Sequence, residues 1–373
     1  MDSFCSAFGL YYLCIDNQTK QRRRMKTIHT DLHLPAEWFP QDAIQLTWPH
    51  ADTDWKPYLE EITETFIQMA DAITRYERLV IVTPSPEAVR QRLEQALSPE
   101  ALQKILFCEC ATNDTWARDH CGITLTDGKG DGVVLDFRFN GWGEKFPAAL
   151  DNQITGKMAA QDLFQYPIEN HDDFVLEGGS IESNGEGTIF ATSTCLLAPH
   201  RNQPLTREEI EAQLLRRLRA QRIIWLDHGN LIGDDTDGHI DTIVRIAPYD
   251  TLLYVSCDEE NDPQYEDFQA LEQQLRALRT PDGHPYRLLR LPMPHPIFDD
   301  GERLPATYAN FVILNGAILV PTYNQPDLDA IACETISLAF PGLDIIGIDA
   351  RVVVRQHGSL HCLTMQYPRG VFL

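Results

Sequence analysis

Five side chains that could carry out chemistry lie in short polar motifs spread along the chain. The motifs are NDTWARDH, VLEGGS, GDDTDGHIDT and HGSLHCLTMQYP, and they contain Asp119, Glu177, His239, Asp241 and Cys362. A cysteine near a histidine is the minimum set for nucleophilic catalysis by a thiolate. Three carboxylates would raise the pKa of that thiol unless a cation lay among them. The set therefore favours chemistry on a cationic group, and a planar guanidinium matches paired carboxylates best.

The spacing of these motifs indicates equivalent places in a repeated architecture. The intervals are 58 residues from Asp119 to Glu177, 62 from Glu177 to His239, and 123 from His239 to Cys362, about two repeats. In a ring of similar units, equivalent positions converge on the central axis. One reactive side chain from each unit would then meet the others in one place.

Amphipathic segments of helix length, each followed by a short apolar strand, recur along the chain. The predicted pairs of helix and strand are 58–76 with RLVIVTP, 87–104 with ILFCEC, 207–220 with RIIWLD, 265–279 with YRLLRLPMP, and 328–340 with LDIIGIDARVVV. Such segments, separated by short loops, indicate an α/β protein.

Hairpin-like pairs of strands alternate with these units. The predicted hairpins cover 122–139, 174–197, 239–257, 307–323 and 352–367. Two of them turn at Asn-Gly, which is a strong hairpin signal between apolar alternations. The last hairpin would place Cys362 on a strand and turn His361 to the opposite face, as a structural or supporting residue.

The order of hairpin, helix and strand thus repeats about five times within residues 25–373, and each unit has about 70 residues. This repetition favours a five-bladed α/β propeller over an open α/β sheet, because a doubly wound parallel sheet would alternate single strands with helices. No Pro- or Ser-rich linker interrupts 25–373, so we expect a single domain there. We interpret residues 1–24 as a disordered or misassigned N-terminal arm.

The net charge and the cysteine pattern limit the binding partners and the cellular compartment that we expect. The chain of 373 residues has a net charge of −24, and −26 without residues 1–24. This charge disfavours nucleic acid and anionic membranes as partners and suits a cationic substrate. The nine cysteines are irregularly spaced without a CxxC pair, which favours a reducing compartment over a disulfide framework. No uncharged apolar run approaches the ~18 residues of a membrane span. We expect a cytoplasmic protein, and a homodimer stays open.

Taken together, the motifs resemble the family of agmatine deiminases and bacterial peptidyl-arginine deiminases. The likeness rests on WARD at 116–119, LEGGS, GHIDT, YANFVILNG and the late HC pair, and it runs over 48–366. The resemblance implies the pentein fold, which is a five-bladed α/β propeller. It also implies hydrolysis of a guanidine to a urea and ammonia through a cysteine-linked intermediate, without a metal or another cofactor.

The same resemblance implies a role for each matching residue. Cys362 would attack the guanidine carbon, and His239 would be the general acid and base. Glu177 would orient His239 and stabilise its charge. Asp119 and Asp241 would clamp the guanidinium nitrogens. The further substrate contacts that it implies are Trp116, Trp142 and Asn310.

Departures from the family pattern leave the substrate tail open. His120-Cys121-Gly122 follows the aspartate where Thr-Gly-Pro is usual, HGSLHC stands for GGNIHC, and FNGWGE stands for FNAWGG. We expect a deiminase of agmatine that makes N-carbamoylputrescine for putrescine and polyamine biosynthesis. The alternatives are a deiminase of free or peptidyl arginine and a non-catalytic polyamine-binding protein.

Two other interpretations of the motif residues also stay open. His239 and Asp241 form a His-x-Asp pair, as do His50 and Asp52, and both pairs have the donor types of metal ligands. No further histidine cluster completes such a site, so we expect no metal. A lone cysteine would more often be a buried structural residue, but the HC context and the partner motifs favour Cys362 as a nucleophile.

Overall fold

The computed structural model describes residues 31–372, which form a mixed α/β structure. The predicted N-terminal arm, 1–24, lies outside the described residues, and a single domain over 25–373 stays a prediction. In chain order the strands are β1 Gln41–Thr47, β2 Arg78–Thr83, β3 Ile105–Glu109, β4 Ile123–Thr126, β5 Gly132–Arg138, β6 Ile168–Val175, β7 Ile181–Ser183, β8 Thr188–Thr192, β9 Arg222–Leu226, β10 Val244–Ala247, β11 Thr251–Ser256, β12 Arg287–Pro292, β13 Phe298–Asp299, β14 Glu302–Arg303, β15 Val312–Ile313, β16 Ala317–Thr322, β17 Asp344–Asp349 and β18 Thr364–Pro368.

The helices connect these strands. In chain order they are α1 Leu59–Tyr76, α2 Pro86–Glu94, α3 Pro99–Leu102, α4 Ala117–His120, α5 Gly141–Glu144, α6 Ile154–Ala160, α7 Ser193–Leu196, α8 Arg207–Arg217, α9 Tyr265–Ala277 and α10 Pro326–Ala339. Short 3-10 turns lie at Lys56–Tyr58, Asp151–Gln153, Gly178–Ser180, Ile240–Thr242 and Val353–Gln356. None of the helices in 31–372 is long and apolar enough to cross a membrane.

Five sheets repeat one pattern of connection. In four of them an antiparallel hairpin is followed by a crossover helix and a third strand that lies parallel to the second. These sheets are β4–β5–β6, β7–β8–β9, β10–β11–β12 and β15–β16–β17. In the fifth, β18 pairs antiparallel with β1, and β2 and β3 continue in parallel. The two ends of the described chain therefore share one sheet.

Amphipathic helices pack on these sheets through one apolar face. In α1 the buried residues Ile62, Phe66, Met69 and Ile73 follow the spacing of four, three and four residues that places them on one side of a helix. Burial of each such side chain contributes about 1.5–3 kcal/mol. The middle strands are covered on both faces, and all six residues of β11 are buried. The short loops that join the sheets are therefore carried on a closely packed scaffold.

Most of the predicted elements are confirmed. The helix predicted over 87–104 is split into α2 and α3, because Ser98 caps a new helix that begins at Pro99. The hairpin predicted over 352–367 is wrong. That segment is a 3-10 turn followed by a loop, and His357 ends the turn with a φ of 63°. β18 then finds its partner in β1, at the other end of the described chain.

Candidate active site

The candidate residues each lie just before the first strand of one of the five sheets. Asp119 lies in α4 before β4, Glu177 before β7, His239 and Asp241 before β10, Asn310 before β15, and Cys362 before β18. Four of the segments that precede these strands contain a short helical turn, and each places its candidate side chain at the same end of its sheet. The structure thereby brings together residues from five separate regions of the sequence.

Cys362 lies at the bottom of this cluster and is 4% exposed. Its Sγ is 3.3 Å from Asn310 Oδ1 and 3.8 Å from Asp241 Oδ2. Its backbone N–H also donates to Asn310 Oδ1, at 3.2 Å. Burial, together with the carboxylates of Asp241 and Asp119, raises the pKa of the thiol well above its usual value. These surroundings therefore keep the sulfur protonated at neutral pH.

Asp119 is held by two donors, one on each oxygen. The Gly179 N–H donates to Oδ1 at 3.0 Å, and the Trp142 indole N–H donates to Oδ2 at 3.0 Å. Burial raises the pKa of Asp119 and the neighbouring Asp241 adds to the rise, while His239 opposes it. Each oxygen retains a lone pair for a further donor.

Asp241 has one oxygen occupied and one open. The His361 Nδ1–H donates to Oδ2 at 2.7 Å, and Oδ1 has no hydrogen-bond partner among residues 31–372. Burial acts against ionisation of Asp241, but the hydrogen bond and charge of His361 outweigh it and lower the pKa. A buried, ionised oxygen without a donor is ready to accept an N–H from a ligand.

His239 is fully buried, and both of its ring nitrogens lack a hydrogen-bond partner within the described chain. Nδ1 lies 3.6 Å from Asp119 Oδ1. Burial disfavours charge on the ring, but Asp119, Cys195 and Glu177 together raise its pKa well above the usual value. These carboxylates therefore favour the protonated form of the imidazole.

Glu177 lies beside His239 and is bound by Arg201, a residue that the sequence analysis did not identify. Arg201 is buried with it, and the Arg201 Nε–H lies 3.0 and 3.3 Å from the two Glu177 oxygens. The same guanidinium donates to Asp237 Oδ2 at 2.6 Å and to the Thr236 carbonyl at 2.7 Å. Arg201 therefore ties Glu177 to the loop that precedes His239.

Both candidate tryptophans line the pocket above Cys362. Trp116 lies against Gly358, where an added Cβ would be only 2.2 Å from the indole ring. Trp142 has a φ of 56°, the left-handed region that a bulky residue rarely adopts, and its indole N–H is engaged by Asp119. Trp142 is therefore fixed in the pocket wall as a hydrogen-bond donor to Asp119.

The walls of this pocket are strongly acidic. Its aspartates are Asp54, Asp114, Asp119, Asp234 and Asp235, and none of the described residues that line it is a lysine or an arginine. Burial raises the pKa of Asp114 to about 6 and, with the neighbouring Asp234, that of Asp235 to about 6. The pocket therefore favours a ligand with positive charge along its length.

Two clusters in the described chain have the donor types of a metal site, and an arginine occupies each one. Glu177, Cys195 and His239 converge within 4.8 Å, but Arg201 is paired with that glutamate. Glu37, Glu182 and His361 also converge within 4.8 Å. Arg245 binds both of those carboxylates. A divalent cation would meet a fixed guanidinium in either place, so the residues present do not fit a metal ion.

The comparisons with known proteins identify the chain as a hydrolase. It belongs to the Porphyromonas-type peptidyl-arginine deiminase family, whose family model matches residues 33–368. The resemblance read from the sequence motifs is thereby confirmed.

Several relatives match nearly the whole chain. An agmatine deiminase from Pseudomonas putida is 31% identical over 379 residues, covering 93% of this chain and 100% of the relative. A solved structure from Porphyromonas gingivalis, described as a candidate arginine deiminase, is 49% identical with a TM-score of 0.85, covering 92% and 99% of the two chains. A substrate-bound agmatine deiminase variant from C. jejuni is 36% identical with a TM-score of 0.83, covering 91% and 97%.

Proposed function

We propose that this protein is an agmatine deiminase that hydrolyses the guanidine of agmatine to N-carbamoylputrescine and ammonia. The observation that carries the proposal is the acidic pocket over Cys362, where five aspartates and, among residues 31–372, no lysine or arginine line the wall. Agmatine is a dication, with a guanidinium at one end and an ammonium at the other. Agmatine deiminases from P. putida and C. jejuni among its relatives support the same activity.

Free arginine is the second candidate, because the P. gingivalis relative is described in those terms. Its α-carboxylate would need a cationic partner in the pocket. Asp54, Asp234 and Asp235 would instead repel that carboxylate and attract the ammonium of agmatine. The charge of the lining therefore favours the decarboxylated substrate.

We infer that Asp119 and Asp241 hold the guanidinium from two sides. The open Oδ1 of Asp241 and the remaining lone pairs of Asp119 are the acceptors. Binding of the cation offsets the negative charge that raises the pKa of Cys362, so the thiol releases its proton to solvent and the sulfur attacks the guanidine carbon.

Protonated His239 then donates its proton to one amino group of the tetrahedral intermediate. The carbon–nitrogen bond breaks, ammonia leaves, and an amidino group stays on the sulfur. Neutral His239 next takes a proton from water, and the oxygen attacks the same carbon. As the carbon–sulfur bond breaks, the remaining hydroxyl proton passes to the sulfur, and the released ammonia takes up from solvent the proton that the thiol lost. Guanidinium and water thus become a urea and ammonium, with Cys362 and His239 restored. Glu177, which is paired with Arg201, stabilises the positive charge of His239, and Asn310 and Trp116 position the sulfur and the ligand.

We also infer that the five sheets are the blades of one propeller, the pentein architecture. The repeated connection, the shared sheet at the chain ends and the convergence of one motif from each sheet support this arrangement. We also propose a cytoplasmic location, because the cysteine pattern favours a reducing compartment.

The decisive test is ammonia release from agmatine, butylguanidine, arginine and arginyl peptides. Butylguanidine is agmatine without its ammonium, so it isolates the contribution of the tail charge. We expect kcat/KM to be highest for agmatine. Asp235→Asn should reduce that preference over butylguanidine, whereas Asp71→Asn, on the outer face of α1, should leave it unchanged. Faster hydrolysis of arginine than of agmatine would overturn the proposal.

Cys362→Ser tests the chemical step separately. The variant retains both carboxylates of the clamp, so it should bind agmatine while turnover falls by several orders of magnitude. Calorimetry measures the binding and ammonia release measures the turnover. Retained turnover would contradict the covalent mechanism.

A further inference from the structure

The guanidinium of Arg201 joins two segments that carry proposed catalytic residues. Its side chain and that of Glu177 are both fully buried. Its Nε–H lies 3.0 and 3.3 Å from the two Glu177 oxygens. Its Nη1–H donates to Asp237 Oδ2 at 2.6 Å, and its Nη2–H donates to the Thr236 carbonyl at 2.7 Å. All three nitrogens of one planar group therefore have acceptors, and these come from the segment before β7 and the segment before β10.

The backbone of His239 is anchored to the second of these segments. Its N–H donates to Thr236 Oγ1 at 3.1 Å, and the Thr236 hydroxyl donates to Asp234 Oδ1 at 2.6 Å. The Gly238 N–H donates to the other oxygen of Asp234, at 2.7 Å. The turn from 234 to 239 is thus closed by its own hydrogen bonds. Because Arg201 holds this turn at the Thr236 carbonyl, it also fixes the place from which the imidazole extends.

The loop that carries Arg201 is in turn fixed on the segment that leads to Glu177. The Val175 N–H donates to Asn202 Oδ1 at 2.9 Å, and the Asn202 side-chain N–H donates to the Val175 carbonyl at 2.8 Å. The Arg201 N–H donates to Gln203 Oε1 at 3.2 Å. Arg201 and Glu177 are therefore held together by contacts of their neighbours as well as by their own ion pair.

We propose that Arg201 is a positioning residue that sets the distance between the carboxylate of Glu177 and the imidazole of His239. A Glu177 oxygen and a His239 ring nitrogen lie within 4.8 Å of each other, although the two residues belong to different sheets. Arg201 binds the carboxylate directly and the histidine through the turn at Thr236. This inference rests on the proposed function, because it assigns proton transfer in guanidine hydrolysis to His239.

The contacts require an arginine rather than any cation. A guanidinium presents its N–H groups in a rigid fork, whereas the ammonium of lysine is a compact point charge. A lysine could pair with Glu177, but its single nitrogen cannot reach the acceptors that Arg201 contacts through three separate nitrogens. Loss of the cation altogether would leave the Glu177 carboxylate without its partner in a fully buried place, which is unfavourable.

The kinetic experiment compares the wild type with Arg201→Lys and Arg201→Met on agmatine. A misplacement on the order of 1 Å costs about 100-fold in rate, so we expect kcat to fall about 100-fold in Arg201→Met and less in Arg201→Lys. KM should change by less than about threefold, since the proposed clamp and the pocket aspartates are retained. The matched control is Arg217→Met, which removes another buried arginine, paired with Asp173 outside the pocket, and should leave kcat unchanged. An unchanged kcat in folded Arg201→Met, or an equal loss in Arg217→Met, would overturn the proposal.

A double-mutant cycle separates the positioning of Glu177 from a general contribution to packing. Glu177→Gln removes the carboxylate through which Arg201 acts. The further loss of kcat caused by Arg201→Met should therefore be at least about tenfold smaller in that background than in the wild type. Independent contributions would multiply instead. A double variant that loses the full product of the two single losses would contradict the proposal.

A spectroscopic measurement keeps the test independent of turnover. In histidine-labelled protein, the ring signals of His239 are identified by their loss in His239→Asn. We expect these signals to shift in Arg201→Lys, which retains a cation beside Glu177 and keeps the test available if Arg201→Met fails to fold. They should stay unchanged in Arg217→Met. Unshifted signals in Arg201→Lys and Arg201→Met would overturn the proposal. A wild type without activity on any guanidine would refute the proposed function, while this spectrum would still decide whether Arg201 sets the place of His239.

Discussion

The addition of one methyl group at Gly179 should lower activity while the protein still folds. A Cβ at this position would lie 2.6 Å from His239 Nδ1, 2.9 Å from Asp119 Oδ1 and 3.1 Å from Asp241 Oδ2. The φ of Gly179 lies outside the left-handed region, so alanine adds no backbone strain. Ordinary contact begins at about 3.4 Å, and the imidazole must therefore move by about 0.8 Å. The methyl group would also occupy space between the three proposed catalytic groups.

We expect Gly179→Ala to lower kcat for agmatine by about 100-fold or more, because a misplacement on the order of 1 Å costs about that factor. This corresponds to about 2.7 kcal/mol in the activation barrier. Steady-state ammonia release gives kcat and KM, and urea unfolding gives the free energy of unfolding. The free energy of unfolding should change far less than the activation barrier, because the atoms that the new methyl group meets belong to side chains, which can move more easily than backbone.

Two other glycine substitutions serve as controls. Gly156→Ala, inside α6, meets nothing within 4 Å and should leave kcat unchanged while stabilising the helix by about 1 kcal/mol. Gly178→Ala would place a Cβ 2.2 Å from the Arg118 carbonyl oxygen, so it should lower stability as well as activity. A kcat for Gly179→Ala within about threefold of the wild type, in a folded protein, would refute the proposed arrangement of His239 and Asp119.

Three further predictions concern the clamp, the thiol and metal ions. Asp119→Asn and Asp241→Asn should each raise KM and lower kcat for agmatine, because a charged hydrogen bond worth ~1.5–3 kcal/mol is lost; equal losses on a neutral activated thioester would mean that the aspartates only support the fold. Alkylation of Cys362 by neutral iodoacetamide, followed by mass spectrometry, should accelerate steadily from pH 7 to pH 9, because the raised pKa delays thiolate formation; a plateau near pH 7 would contradict this. Prolonged EDTA treatment should leave the rate unchanged, since Arg201 and Arg245 occupy both carboxylate clusters; a loss restored by zinc would contradict it.

The repeat of hairpin, helix and strand could be predicted because each unit is local. Turn residues such as Asn184-Gly185, together with apolar alternation, lie within one short stretch, and β7 and β8 form there. The pairing of β18 with β1 could not be predicted in this way. It joins segments at opposite ends of the chain, and no local pattern distinguishes an edge strand that pairs with its neighbour from one that pairs with a distant strand.

The candidate residues could be predicted from motif spacing, since equivalent places before each sheet converge. Their catalytic roles stay predictions. The buried arginines were missed because a lone arginine in a loop, such as Arg201, has no periodic signal. Arg245 did have one: it stands between apolar neighbours in VRIA, where a fully buried charge requires a partner. That pattern predicts a buried ion pair, although it does not identify Glu37 and Glu182 as the partners.

The charge of the site connects the choice of substrate with activation of the nucleophile. Burial, together with Asp241 and Asp119, raises the pKa of Cys362, so the thiol stays protonated. A guanidinium brings the one positive charge that offsets those carboxylates, whereas a neutral electrophile of the same size brings none. The urea product is neutral as well, so its formation restores the field of the empty site and returns the proton to the sulfur. In the proposed mechanism, one change of charge therefore drives substrate binding, thiol ionisation and product release.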